Sequence, residues 1–142
     1  MSLQVYLASK DATLPTIRST IQPLYNLYSA ETITVESSSS QPVRTDLHMA
    51  LPAGYSGQIT SAIGGFKLQG EIDEGILCSN VTGRSADQFR TAYRGPVYIM
   101  LGNCEAEAYE VHKGDCIALL LLKKVVPIMP VRQVTDLSSL GE

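Results

Sequence analysis

Three cysteines, two histidines and one acidic stretch have the widest chemical reach in this 142-residue chain. Cys78, Cys104 and Cys116 are odd in number and lack CxxC spacing, which fits neither a disulfide framework nor a closed zinc site. They predict reduced thiols and an intracellular protein of the cytoplasm and/or nucleus. A reactive thiol needs an electropositive neighbourhood; Cys116 opens an apolar run and reads as a small buried hydrophobe. His48 and His112 have no metal-ligand company at suitable spacing and read as surface residues. Asp73 and Glu74 form an acidic patch within residues 65–92, which also carry Glu71, Arg84, Asp87 and Arg90. Ile76, Leu77 and Phe89 stand among these charges. Mixed charge around a few apolar anchors is the anatomy of a recognition surface, so the three are candidate contacts for a protein partner of unknown identity. A solvated insertion without consequence is the other reading.

The elements that must carry these residues are strands. Hydrophobic residues at 44% and charged residues at 18% support a real core in a single domain, residues 1–142, and exclude global disorder. A net charge of −3 lacks the Lys/Arg surplus that phosphate neutralisation needs, so no nucleic-acid partner is expected. Met1–Lys10 does not read as a leader. The apolar run Ile117–Leu122 is far short of the ~20 residues that span a bilayer, so no membrane association is expected. Val43–Leu51 alternates with Val43, Thr45, Leu47, Met49 and Leu51 on one face, the period of a half-buried strand. Val97–Leu101 and Ile117–Leu122 predict strands buried on both faces, and Tyr109 and Val111 share a face of another. Pro52-Ala53-Gly54, Gly102-Asn103 and Lys113-Gly114-Asp115 predict turns, and Ser37–Ser40 a loop. Ser85-Ala86-Asp87-Gln88 has the form of a capping box and predicts one short helix reaching Ala92. The class is all-β, a barrel or sandwich with at most one short helix.

Four segments, in order, resemble the motifs of the trimeric deoxyuridine triphosphatases. Pro23-Leu24-Tyr25-Asn26-Leu27-Tyr28-Ser29-Ala30-Glu31 is similar to a motif with the core Gly-Tyr-Asp-Leu-Tyr-Ser-Ala. Leu51-Pro52-Ala53-Gly54-Tyr55-Ser56-Gly57 is similar to the lead-in to the second motif, and Ala92-Tyr93-Arg94-Gly95-Pro96-Val97 to the end of the third. Lys113-Gly114-Asp115-Cys116-Ile117-Ala118-Leu119-Leu120 is similar to Lys-Gly-Asp-Arg-Ile-Ala-Gln-Leu. The resemblance implies a dUTPase-like jelly-roll β-barrel, a homotrimer whose active sites draw on three subunits, and magnesium-dependent cleavage of dUTP to dUMP and pyrophosphate. The runs Val97–Leu101 and Ile117–Leu122 also carry more apolar surface than a small barrel easily hides alone, which adds to the expectation of a trimer.

Set against those motifs, the chemistry-bearing positions differ. The Arg and Ser of the family's Pro-Arg-Ser-Gly fall on Ala62 and Ile63, ahead of Gly64. The aspartate that approaches magnesium through water falls on Asn26, and the Arg and Gln of the fourth motif on Cys116 and Leu119. Asn26, Gly64 and Tyr93 are what the resemblance leaves of a nucleotide site. Its catalytic aspartate lies three residues before the sugar-stacking Tyr; if that is Tyr93, the position is Arg90, which cannot accept a proton. A second alignment, through Gly70-Glu71-Ile72-Asp73-Glu74-Gly75, offers Asp73 as the base. Val134–Glu142 holds no glycine-rich run and no Phe, so the family's closing arm is either lost or lies beyond Glu142. These departures lead to the expectation of a non-catalytic protein, closest in character to the adenoviral early-region relatives, without a cofactor, acting through protein partners as a viral regulator of host signalling. The alternative is a divergent, active dUTP diphosphatase using Asp73, Tyr93 and Mg2+; a plain structural trimer is a third reading.

Overall fold

The computed structural model describes residues 1–62, 76–80, 88–89 and 93–142. Eleven strands appear among them: β1 (Gln4–Leu7), β2 (Thr16–Ser19), β3 (Leu24–Tyr28), β4 (Ile33–Val35), β5 (Ser39–Ala50), β6 (Tyr55–Ser61), β7 (Ile76–Asn80), β8 (Gln88–Phe89), β9 (Arg94–Asn103), β10 (Tyr109–Val111) and β11 (Cys116–Lys124). They form a four-stranded sheet β1-β5-β9-β7, a five-stranded sheet β2-β3-β11-β6-β8 and a small ladder β10-β4. Their pairings are antiparallel. The helical element among the described residues is one 3-10 turn, Leu137–Ser139, and no helix among them is long and apolar enough to cross a membrane. The fold is all-β, as expected.

The core lies between the two larger sheets. Leu47, Val97, Ile99 and Leu101 from one meet Leu27, Ile59 and Leu120 from the other, all 2% exposed or less. Each such side chain contributes roughly 1.5–3 kcal/mol by leaving water. The alternation of β5 is seen as expected: Val43, Thr45, Leu47 and Met49 are buried, Arg44 and His48 exposed. It survives a bulge. Arg44 pairs with Tyr98 and Leu47 with the adjacent Val97, so Thr45 and Asp46 are extra. Two extra residues, in a strand of period two, return every later side chain to its original face. Asp46 takes up the kink at φ 55, and Thr45 replaces the lost ladder bonds, its Oγ1 donating to the Val97 carbonyl (2.6 Å) and accepting from the Leu47 N–H (3.3 Å).

Several expectations need correcting. Tyr98 is 44% exposed, so β9 buries one face within the chain. Gly102 and Asn103 continue β9. The turn follows them, built by the Asn103 side chain: its Oδ1 accepts from the Glu105 N–H, and its Nδ2 donates to the carbonyls of Val35 and Glu107. Ser39 and Ser40 already belong to β5, the turn being confined to Ser37 and Ser38. Gln88 and Phe89 form strand β8 against β6, not a helix; residues 85–87 and 90–92 lie outside the described residues. Segment 65–92 therefore contributes an edge strand to each large sheet, β7 and β8, because the ladder of a partner strand outweighs a short local helix signal. The runs Val97–Leu101 and Ile117–Leu122 hide most of their apolar surface in the chain's own core. Exposed apolar side chains lie instead near the N-terminus, among them Ile17 and Ile21, and on the C-terminal stretch, where Ile128 and Val131 are each 99% exposed and Val126 and Met129 more than half exposed.

The turn at Lys113-Gly114-Asp115 forms as expected, and Lys113 Nζ sits 2.5 Å from Asp11 Oδ1. The hydrogen bond and charge of Lys113 hold the Asp11 carboxyl below its ordinary value. A carboxylate depressed in the native state stabilises above its unfolded pKa, and that stabilisation is lost as pH falls through the native value. Lys113→Met is expected to raise the Asp11 pKa, measurable by carbonyl-detected NMR titration, and to flatten the acid limb of the stability profile.

Candidate functional site

β3 and β11 alternate about the same plane, with opposite faces serving different ends. Leu27 and Leu120 point into the core, so Asn26 and Leu119, one residue away in each strand, point to the outer face. Register carries this row across four strands: Thr16 pairs with Asn26, Asn26 with Leu119, and Leu119 with Thr60. The resemblance gave positions 26 and 119 to nucleotide chemistry, and the sheet brings them side by side. Leu119 is fully buried.

Around Asn26 the outer face is polar and connected. Arg18 donates to Asn26 Oδ1 at 2.9 Å, Asn26 Nδ2 donates to Thr16 Oγ1 at 2.9 Å, and Thr16 Oγ1 shares a proton with the Tyr28 hydroxyl at 2.7 Å. The Cys116 thiol approaches Asn26 Oδ1 at 3.6 Å. Burial pushes the Cys116 thiol up, opposed in smaller part by the Arg18 charge, so at neutral pH it is a protonated thiol and a weak donor. Sequence reasoning did not single out Thr16 or Arg18. The signal was present in Thr16-Ile17-Arg18, whose alternation places both polar residues on one face once β2 pairs with β3.

At the other end of the row, Thr60 Oγ1 is buried and has no hydrogen-bond partner among the described residues. A buried hydroxyl left unpaired costs about 1–3 kcal/mol. Thr60→Val, which keeps the shape and removes the hydroxyl, is expected to raise stability by about 1 kcal/mol, seen as a higher midpoint in urea unfolding.

Tyr93 lies elsewhere, in the core and 5% exposed. Its hydroxyl donates to the Pro96 carbonyl at 2.6 Å, and its carbonyl accepts from the Leu51 N–H. The structure does not bring it to the row that holds Asn26. Ala62 is half-buried and its N–H donates to the Ile117 carbonyl, a ladder-like role. Ile63, Gly64, Asp73 and Arg90 lie outside the described residues. Ile76, Leu77 and Phe89 are placed by backbone alone: Ile76 opposite Asn103, Leu77 opposite Gly102, Phe89 opposite Gly57. His48 and His112 are exposed.

Among the described residues no group of three His, Cys, Asp or Glu could hold a metal ion. At Asn26, where the resemblance places a carboxylate near magnesium, the neutral amide oxygen already accepts from a guanidinium. A divalent cation prefers carboxylates and phosphate oxygens, and a fixed positive charge beside it is repulsive. The residues described at Asn26 do not fit a metal there.

No family model matches the chain. Individual proteins do. The chain is 30% identical to the deoxyuridine 5'-triphosphate nucleotidohydrolase of Debaryomyces hansenii, over 99% of this chain and 83% of that protein. It is 31% identical to the protein of the same name from Yarrowia lipolytica, over 98% and 82%, and 36% identical to that of Zymomonas mobilis, over 79% and 70%. Among solved structures, a variant of the dUTPase of Staphylococcus bacteriophage 80alpha superposes with a TM-score of 0.70 at 22% identity, covering 97% of this chain and 99% of that one. A variant of the dUTPase from phage phi11 of S. aureus, described with a structural Mg(II) ion, gives 0.71 at 20% identity, covering 98% and 100%. These findings overturn the expectation of a non-catalytic protein acting through other proteins: the relatives at 30–36% identity are named as nucleotidohydrolases. The substituted motif positions mark divergence within that group, not departure from it. With register, motif order and identity over nearly its whole length in agreement, the chain belongs to the deoxyuridine 5'-triphosphate nucleotidohydrolase family.

Proposed function

We propose that this protein is a divergent dUTP nucleotidohydrolase, cleaving dUTP to dUMP and pyrophosphate. The observation that carries the reading is the 30% identity to a named enzyme over 99% of the chain, which runs through the site-forming strands as well as the core. Water must attack a phosphorus of the triphosphate, and the leaving pyrophosphate must be held as its charge develops. Positive charge and hydroxyl donors suit the second task, and the Arg18, Thr16 and Tyr28 face supplies both. The first task needs a base, for which Asp73 is the carboxylate that the motif resemblance offers. Magnesium, when bound to the triphosphate, would supply charge neutralisation through the phosphate oxygens themselves.

The test is incubation of the purified chain with dUTP and Mg2+, with coupled detection of pyrophosphate and chromatographic detection of dUMP. The expected result is stoichiometric production of both, with dTTP and dCTP turned over more slowly. Absence of turnover by folded protein would overturn the reading.

Self-association belongs to the same proposal. Exposed Val126, Ile128, Met129 and Val131 form an apolar stretch of the kind that a neighbouring subunit covers, and the motif resemblance implies three subunits. Light scattering at micromolar concentration is expected to give the mass of three chains; a monomer mass would sink the trimer.

A further inference from the structure

The geometry points to an oxyanion subsite on the outer face of β2 and β3, in which the Arg18 guanidinium, flanked by Thr16 and Tyr28, holds phosphate oxygens directly at the place where Asn26 replaces a carboxylate. The inference takes its ligand, the pyrophosphate portion of the nucleotide, from the function proposed above.

Charge is the starting point. Arg18 is exposed, lies on an edge strand, and makes no ion pair with a carboxylate among the described residues. One N–H goes to Asn26 Oδ1. A guanidinium has five donors in a planar fork suited to two oxygens of one phosphate, so most of its capacity remains. The Asn26 contact fixes the head of a long, otherwise mobile side chain, which lowers the entropy lost on binding an anion. An aspartate at position 26 would pair with Arg18 and cancel its charge. Asn26 keeps the hydrogen bond and leaves a full positive charge facing outward.

The neighbours fit an anion as well. Thr16 and Tyr28 share one proton between their hydroxyls, and the other hydroxyl proton of the pair can turn towards an incoming oxygen. Cys116 is held protonated by burial, so it adds no negative charge. The described side chains hydrogen-bonded to Asn26 are therefore cationic or neutral. The same set is unsuited to a hydrated divalent cation, which would meet a guanidinium where a carboxylate is needed.

Calorimetric titration of the intact protein with inorganic pyrophosphate, in EDTA and again in Mg2+, separates the two arrangements. The wild type is expected to bind pyrophosphate in EDTA. Arg18→Ala is expected to weaken binding about 10- to 100-fold, the loss of charge-assisted hydrogen bonds. Arg18→Lys should recover part of the loss, and Asn26→Asp should weaken binding in EDTA by pairing with Arg18. Thermal melts confirm that each variant folds; these are exposed or half-exposed positions. Wild-type affinity in Arg18→Ala, wild-type binding that appears only with Mg2+, or no binding at all overturns the subsite. The dUTP turnover assay reports separately on the function. Arg18-dependent pyrophosphate binding without turnover supports the subsite and removes the enzyme reading. Turnover in Arg18→Ala at the wild-type rate and affinity does the reverse.

Discussion

Exchanging Asp73 for Asn is expected to slow dUTP turnover by about 100- to 10,000-fold, the usual contribution of a general base. A water molecule at neutral pH is a poor nucleophile, and a carboxylate that takes its proton in the transition state acts on kcat. Two positions compete for that role by motif spacing. Arg90 stands three residues before Tyr93, where the family has its aspartate, and a guanidinium holds its protons at any relevant pH. Asp73 sits within Gly70-Glu71-Ile72-Asp73-Glu74-Gly75, the other stretch similar to that motif. Asn keeps the shape and hydrogen-bonding reach of Asp but cannot serve as a base. The expected signature is a fall in kcat with KM little changed, loss of the acidic limb of the kcat profile, and near wild-type rates in Glu71→Gln and Glu74→Gln. Wild-type kcat in Asp73→Asn would place the base elsewhere and leave the enzyme reading standing.

Much of the fold is legible in the chain because single-strand patterns are local. The β5 alternation and the turn at Lys113-Gly114-Asp115 follow from period two and from turn residues alone. The bulge at Thr45 and Asp46 is invisible there because two inserted residues leave that period intact. Gly102-Asn103 is a true turn signal displaced by one step: the Asn103 side chain closes the turn after the strand has ended, with its amide on Val35 and Glu107. Strands β7 and β8 escape a sequence reading because an edge strand needs its partner to exist, and nothing local in Gln88-Phe89 announces β6.

The site is legible at one position and not at its neighbours. Asn26 comes from motif spacing. Arg18 and Thr16 are eight and ten residues away, and only the β2–β3 register places them on its face. The mistaken expectation about function has the same root. Judged against a fixed list of ligands, Ala62, Asn26, Cys116 and Leu119 each count as a loss, and the sequence alone does not show which cross-strand neighbours surround them; at Asn26 these are Arg18 and Thr16. The structure adds what the sequence lacks there, an Arg18 guanidinium donating to Asn26 Oδ1, while the correction to the function itself comes from the enzyme names carried by the chain's relatives.

Gly95→Ala is expected to cost about 2–4 kcal/mol, through overpacking and a lost hydrogen bond. Gly95 has φ +153, and a Cβ built there would sit 2.8 Å from the Tyr93 hydroxyl oxygen and 3.2 Å from Cζ. The ring cannot retreat cheaply, because Tyr93 is buried and its hydroxyl is fixed on the Pro96 carbonyl. Tyr93→Phe alone removes that hydrogen bond for about 1 kcal/mol. In the Tyr93→Phe background the nearest atom to the new methyl is no longer the hydroxyl, so Gly95→Ala should cost less there, with a coupling of about 0.5–3 kcal/mol in a double-mutant cycle. Urea unfolding of the four proteins measures it, and strict additivity would sink the account. The Tyr93-Arg94-Gly95-Pro96 run that carries the family resemblance is thus explained in good part by packing. A tyrosine folds back over its own chain, a glycine makes room for the hydroxyl, and a proline carbonyl anchors it. That packing requirement lies in the core and is independent of what stands on the outer face at Asn26 and Leu119.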